Sequence, residues 1–139
     1  MNFDPNNPIV KLCAKGVSLE GKPEEASRLF MQAWNEATND AEKFIAAHYL
    51  ARHQRSVEDK LKWDETALDL ALNINDDSAN AAYPSLYLNI AKCYEDLGKV
   101  EQARENYDLA LSFADVLPDD GYGKMIRAGI YSGIERVKP

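Results

Sequence analysis

Small and aromatic side chains recur at helical spacing on both sides of a glycine within the stretch Leu86–Leu111. Ala91 lies between two tyrosines, so a neighbouring helix can approach closely at the alanine while the rings fill the space beside it. After Gly98 the order is reversed, because Ala103 and Ala110 flank a single tyrosine. The spacing predicts two helices that pack closely against each other across a tight turn.

This stretch resembles one tetratricopeptide repeat, a helix-turn-helix unit of about 34 residues. The positions that match the family pattern are Tyr87, Ile90, Ala91, Tyr94, Gly98, Ala103, Tyr107 and Ala110. Proteins of this family are binding scaffolds. The resemblance therefore implies a scaffold and leaves its ligand open.

Two further copies of the pattern lie upstream. The first has its turn at Gly21 and matches in its second helix at Ala26, Phe30 and Ala33. Counting back from that turn places the buried face of its first helix at Val10, Cys13, Ala14 and Val17. A step of about 34 residues from Gly21 reaches Arg55 and opens a poorer copy, which matches only at Ala67 and Leu68.

The resemblance implies an all-α fold in one domain, residues 1–139. We expect antiparallel helix-turn-helix pairs stacked as a right-handed tetratricopeptide-like solenoid, with repeats at about 7–38, 41–75 and 78–117. A capping helix at about 120–137 should close the stack, because an apolar stripe at a spacing of four gives it one buried face. That stripe is Ile126, Ile130 and Ile134.

Capping residues set the expected helix boundaries. The first six helices should begin near Pro8, Pro23, Asp40, Ser56, Ser78 or Pro84, and Lys99, and the seventh after Asp119 or Asp120. Asn7, Asn39 or Asp40, and Ser56 are the expected N-caps. The acidic pairs Asp76–Asp77 and Asp119–Asp120 adjoin helix starts, so capping explains them better than acid-base chemistry does.

Charge and hydropathy restrict the class of partner. The net charge of −7 argues against nucleic acid or an anionic membrane as a general ligand. No apolar run has the length of a membrane span, and the N-terminus has no secretion signal, so we expect a cytoplasmic protein. In that compartment Cys13 and Cys93 are expected to be buried thiols rather than a disulfide.

The sequence favours a protein that is not an enzyme, with no cofactor and no metal. Gly121 and Gly123 follow a Pro-Asp-Asp turn, which is typical of a helix start and not of a phosphate-binding loop after a strand. His48 and His53 are five positions apart, whereas two metal ligands on one helix face need a spacing near four.

The candidate binding site comes from the family resemblance, since the first helix of each tetratricopeptide repeat lines the concave side. The exposed polar positions there are Lys11, Lys15, Tyr49, Arg52, His53, Asn89 and Lys92, and Arg127 extends the strip along the last helix. In an acidic chain this is a concentration of positive charge. Lys11 and Asn89 correspond to positions of the family's carboxylate clamp, which grips the C-terminal Asp of chaperone tails, while Lys15 and Ala46 stand where the clamp has asparagine.

Two function classes remain open from the sequence. The chain is an adaptor that binds an acidic or C-terminal peptide segment in its groove, or it is a module that self-associates, for example as a homodimer through Tyr131 and the last helix. An enzyme or small-ligand binder is a distant third.

Overall fold

The computed structural model describes residues 3–74 and 77–139, and helices dominate both ranges. The α-helices are α1 Pro8–Ser18, α2 Pro23–Glu36, α3 Asp40–Ala51, α4 Val57–Asn73, α5 Tyr83–Asp96, α6 Val100–Ser112 and α7 Gly121–Arg136. Short 3-10 helices precede α5 at Asp77–Ala82 and follow α6 at Ala114–Val116. The described residues contain no strand, so the all-α prediction is confirmed. The predicted capping role of Asp76 lies outside the described residues.

The helix starts carry the predicted side-chain caps. The Asn7 Oδ1 atom accepts hydrogen bonds from the backbone amides of Ile9 and Val10, at 2.8 and 3.1 Å. The other capping residues each accept one bond from the third following amide, and they are Asn39, Ser56 and Asp120. Each cap satisfies amides that have no partner inside the helix and therefore fixes where the helix begins.

The chain divides into two compact units, which we call the first unit (Met1–Asp76) and the second unit (Asp77–Pro139). In the first unit α1 pairs with α2 and α3 pairs with α4, while α3 also packs against α1 and α2. Its core contains Ile9, Phe30, Ala33, Ala46 and Leu50, with Trp34 and Trp63 packed edge to face beside it. The first unit is therefore built from two consecutive helix-turn-helix pairs.

The buried face of α1 differs from the prediction by one position. Cys13 is buried as expected and Val10 is partly buried, but Ala14 and Val17 are exposed. The residues that pack inward lie one position before the predicted ones and are Ile9, Leu12, Cys13 and Gly16.

The length of the turn explains this shift. The turn between α1 and α2 covers residues 19–22, whereas the turn between α5 and α6 covers only 97–99. The prediction for α1 took its turn to be as long as the turn after α5. The turn after α1 has one more residue, so every buried position of α1 moves by one. Gly16 consequently lies against the second helix, where an added Cβ would be 2.5 Å from the Cε1 atom of Phe30.

The second unit is the α5–α6 hairpin with α7 packed against both helices. The predicted close contact is present, because Ala91, Ala103 and Tyr107 are buried together and Tyr94 packs beside them. Tyr87 is not part of that contact, since it belongs to the adjoining cluster and stacks on Phe113 at 5.7 Å.

The turn and the ends of this unit follow their residue types. Gly98 has a φ of 76°, which a residue with a side chain rarely adopts, and it closes the turn after α5. The helix α5 begins next to Pro84, which was the second of the two predicted starts, because proline is tolerated in a first turn where its missing amide has no partner anyway. Ile126 and Ile130 of the predicted stripe are buried, and Ile134 is partly buried.

Candidate functional site

The turn that follows α3 meets the turn that follows α1 through three charged or titratable side chains. The Glu20 Oε2 atom lies 3.1 Å from Nη2 of Arg52 and 2.7 Å from Nε2 of His53. Arg52 is the C-cap of α3 and His53 lies beyond the helix end, so the two residues do not share a helix face with Tyr49 as the sequence suggested. Both belong instead to the loop edge of the first unit.

Aromatic rings pack against these side chains. The ring of Phe30, which is fully buried, stacks on Tyr49 at 5.1 Å and on His53 at 5.5 Å. The Arg52 guanidinium lies over the Tyr49 ring, 5.5 Å from its centroid. Burial is the main cause that raises the pKa of the Tyr49 hydroxyl, so this ring presents a neutral face to the cation. We refer to Glu20, Phe30, Tyr49, Arg52 and His53 as the Arg52 cluster.

The cluster is open to solvent on the arginine side. The side chain of Arg52 is 50% exposed, whereas that of Glu20 is 21% exposed and that of His53 is 11% exposed. A guanidinium carries five N–H donors, so Arg52 can pair with a carboxylate that approaches from solvent while it lies on Tyr49.

Lys11 and Lys15 lie one turn apart on the exposed side of α1, away from its buried face. The structure therefore brings Tyr49, Arg52 and His53 together, and it places the two lysines as a separate exposed pair on a neighbouring helix of the same unit.

The predicted site residues of the second unit are engaged in other ways. The Nζ atom of Lys92 pairs with Oδ1 of Asp96 at 2.5 Å, and Asn89 is half-buried on α5. The Arg127 guanidinium donates to backbone carbonyls of the 3-10 helix after α6 and of the two residues that follow it, with distances of 3.3 Å to Ala114, 3.0 Å to Leu117 and 3.4 Å to Pro118. Arg127 thus fastens the start of α7 to that loop, and its charge is largely satisfied there.

Two members of the Arg52 cluster were missed from the sequence as site residues. Phe30 was recognised only as a core residue, although its ring also carries Tyr49 and His53. Glu20 occupies a turn in which the family pattern specifies only the neighbouring glycine, so nothing in the sequence pairs it with a residue 32 positions later.

An open groove adjoins the cluster at His53. It has a volume of about 1060 Å³ and lies between the first half of α2, the α3–α4 turn and the first turn of α4. Its lining contains both positive and negative side chains. The positive ones are Lys22, Arg28 and Arg55, and the negative ones are Glu24, Glu25 and Asp59. Met31 adds an apolar surface that is 39% exposed.

Within residues 3–74 and 77–139, no three His, Cys, Asp or Glu side chains are grouped as metal ligands would be. In the same ranges no helix is both long and apolar enough to cross a bilayer.

Comparison with known proteins bears on the fold. No family model matches the sequence, and neither does any curated protein. Among solved structures, PcrH from Pseudomonas aeruginosa is similar over 99% of this chain and 96% of its own, with a TM-score of 0.68 and 19% sequence identity. PcrH has a tetratricopeptide-repeat fold. The chain therefore has a tetratricopeptide-like helical-repeat fold.

Proposed function

We propose that this chain is a protein-binding helical repeat, and that the Arg52 cluster of its first unit grips a carboxylate of the partner. The carboxylate belongs to an acidic side chain or to the C-terminus of a peptide segment. The proposal rests on the surroundings of Arg52. Its guanidinium is half exposed, lies on a tyrosine ring and pairs with one carboxylate at 3.1 Å.

The contact of Arg52 with an aromatic ring favours a role in binding a partner over an incidental surface ion pair. Arginine has a long side chain, and ordering it on binding costs entropy that a simple surface pair seldom recovers. Here the Tyr49 ring, itself stacked on the buried Phe30, already holds the guanidinium in place. A partner carboxylate would therefore meet a cation whose orientation is fixed before binding.

Lys11 and Lys15 have a different role in this proposal. They are exposed and lie on α1, which packs against α3 in the same unit. In a chain of net charge −7 they provide local positive potential that attracts an acidic segment and raises its association rate.

The similarity to PcrH supports the general class of function. PcrH is a chaperone, and a chaperone acts on other proteins. That likeness favours protein partners for this chain, while the acidic character of the partner rests on the Arg52 cluster.

Capture of partner proteins from a cell extract tests this proposal. We expect the immobilised wild-type chain to retain a partner, and the Arg52→Ala variant to retain about tenfold less of it, because a charge-assisted bidentate contact is lost. Arg55→Ala is the matched control, since it removes the same charge from the same turn, at a side chain that is 94% exposed. Equal losses in the two variants would assign the effect to net charge and contradict a specific role for Arg52.

Self-association is a second candidate, and the surface of α7 favours it. Tyr122, Met125 and Tyr131 are 47%, 61% and 56% exposed on this helix. Light scattering after gel filtration should then show a dimer that Met125→Glu or Tyr131→Glu converts to a monomer. Leu109→Glu, at an exposed position of α6, should leave the dimer intact. A wild-type monomer at high concentration would exclude this candidate.

A further inference from the structure

The Arg52 guanidinium and the His53 imidazole are already paired within the chain. Glu20 offers a single oxygen, Oε2, to both Arg52 and His53, at 3.1 and 2.7 Å. This carboxylate therefore occupies the position that the proposed function gives to a carboxylate of the partner.

We infer that Glu20 is an internal competitor, which holds Arg52 and His53 until the carboxylate of a bound protein segment displaces it. The inference rests on the proposed function, because it concerns the same site and the same class of ligand. It makes the Arg52 cluster a latch with an autoinhibitory contact, closed in the chain as it stands.

The location of Glu20 allows its carboxylate to move from the cluster into solvent. The residue lies in the turn between α1 and α2, and its side chain already has access to solvent. A carboxylate that leaves the cluster from this position becomes hydrated, so it is not left buried without a partner. Arg52 and His53 exchange one carboxylate for another and keep their bonds.

The competitor would also sharpen selectivity. A partner residue without a carboxylate cannot replace Glu20 without leaving two polar groups poorly paired, and such unpaired groups oppose binding. An acidic residue or a chain-terminal carboxylate can make the exchange. The latch therefore lowers the affinity for every ligand and lowers it most for neutral ones.

A purely structural role for Glu20 predicts something different. The same contacts join the α1–α2 turn to the α3–α4 turn, so Glu20 could serve only to hold the two helix pairs together. In that case its removal would lower stability and would weaken binding or leave it unchanged. The latch predicts that removal strengthens binding.

The test uses fluorescein-labelled hexaglutamate with a free C-terminal carboxylate, and labelled hexaglutamine as the neutral probe. Titrations followed by fluorescence anisotropy compare wild type with Glu20→Gln. Glu36→Gln is the matched control, because it makes the same charge change at an exposed residue at the end of α2. We expect Glu20→Gln to bind hexaglutamate about three- to fivefold more tightly than Glu36→Gln, which is the effect of removing a competing ion pair of ordinary strength.

Glu20→Asp provides a second variant that keeps the charge. Its shorter side chain should release Arg52 and also raise the affinity for hexaglutamate, and this gain cannot come from net charge. Thermal unfolding of each variant shows whether it is folded.

The outcomes separate the latch from the proposed function. Wild-type binding that depends on Arg52, with no gain in Glu20→Gln over Glu36→Gln and none in Glu20→Asp over wild type, would overturn the latch and leave the proposed function standing. Binding of hexaglutamate no tighter than that of hexaglutamine, by wild type and by both Glu20 variants, would overturn the two together.

Discussion

At the scale of single residues, side chains that share a sequence pattern have different roles in the structure. Arg52 and Arg127 were both expected to face a ligand, but only Arg52 has a half-exposed guanidinium on an aromatic ring. Arg127 bonds to backbone carbonyls, and no pattern in the sequence marks which carbonyls a loop leaves in need of donors. The sequence therefore indicated candidate residues, and it could not indicate which groups each of them contacts.

His48 gives a residue-scale prediction about acid stability. Burial is the main cause that lowers its pKa to about 4, with the charges of Arg52 and Lys60 adding to it. Its Nδ1 atom has no hydrogen-bond partner within the described part of the chain, and its ring lies over Phe44. The folded protein therefore keeps this imidazole neutral at a pH where the unfolded chain, with a pKa near 6.5, takes up a proton.

The sign of the effect follows from that difference. The unfolded state binds more protons between pH 6.5 and about pH 4, so the free energy of unfolding should fall as the pH falls through this range. The contribution of His48 between pH 7 and pH 5 should be about 2 kcal/mol. Urea unfolding at the two pH values should show this loss in wild type and a smaller loss in His48→Phe. Equal losses in both proteins would contradict a buried neutral His48.

At the scale of helices, residue spacing predicted the elements, and turn length decided their register. The caps at Asn7, Asn39 and Ser56 and the turn at Gly98 all lie where the sequence placed them. The face of α1 was wrong by one position because a four-residue turn cannot be told from a three-residue turn when glycine is the only marker. A longer turn after α3 likewise moved His53 off the helix.

The helix contact around Ala91 supplies the prediction at this scale. Ala91 is fully buried against Ala103 and Tyr107, so a leucine there would have to push α5 and α6 apart. We expect Ala91→Leu to lower the free energy of unfolding by about 1–3 kcal/mol. Ala128→Leu, at an exposed position of α7, should change it little. Thermal unfolding of the two variants measures the difference, and equal melting temperatures would show that Ala91 is not at a close approach.

At the scale of the whole molecule, the sequence predicts the fold better than it predicts the function. Recurrent small and aromatic residues specify helix pairs, because packing requires them at fixed intervals, and the similarity to PcrH agrees with that fold. Recognition depends on a few exposed side chains whose neighbours come from distant parts of the chain. Glu20 and Arg52 are an instance, since they meet only where the turns after α1 and α3 come together.

The proposed function requires the Arg52 cluster to bind a carboxylate of a partner protein. The decisive measurement is titration of an isolated partner with wild type and Arg52→Ala, at about 50 mM and about 500 mM salt. We predict that the Kd of wild type rises with salt, and that Arg52→Ala weakens binding about tenfold at low salt and less at high salt. A Kd that changes neither with salt nor with the loss of Arg52 would contradict the proposed function and would indicate an apolar contact elsewhere on the chain.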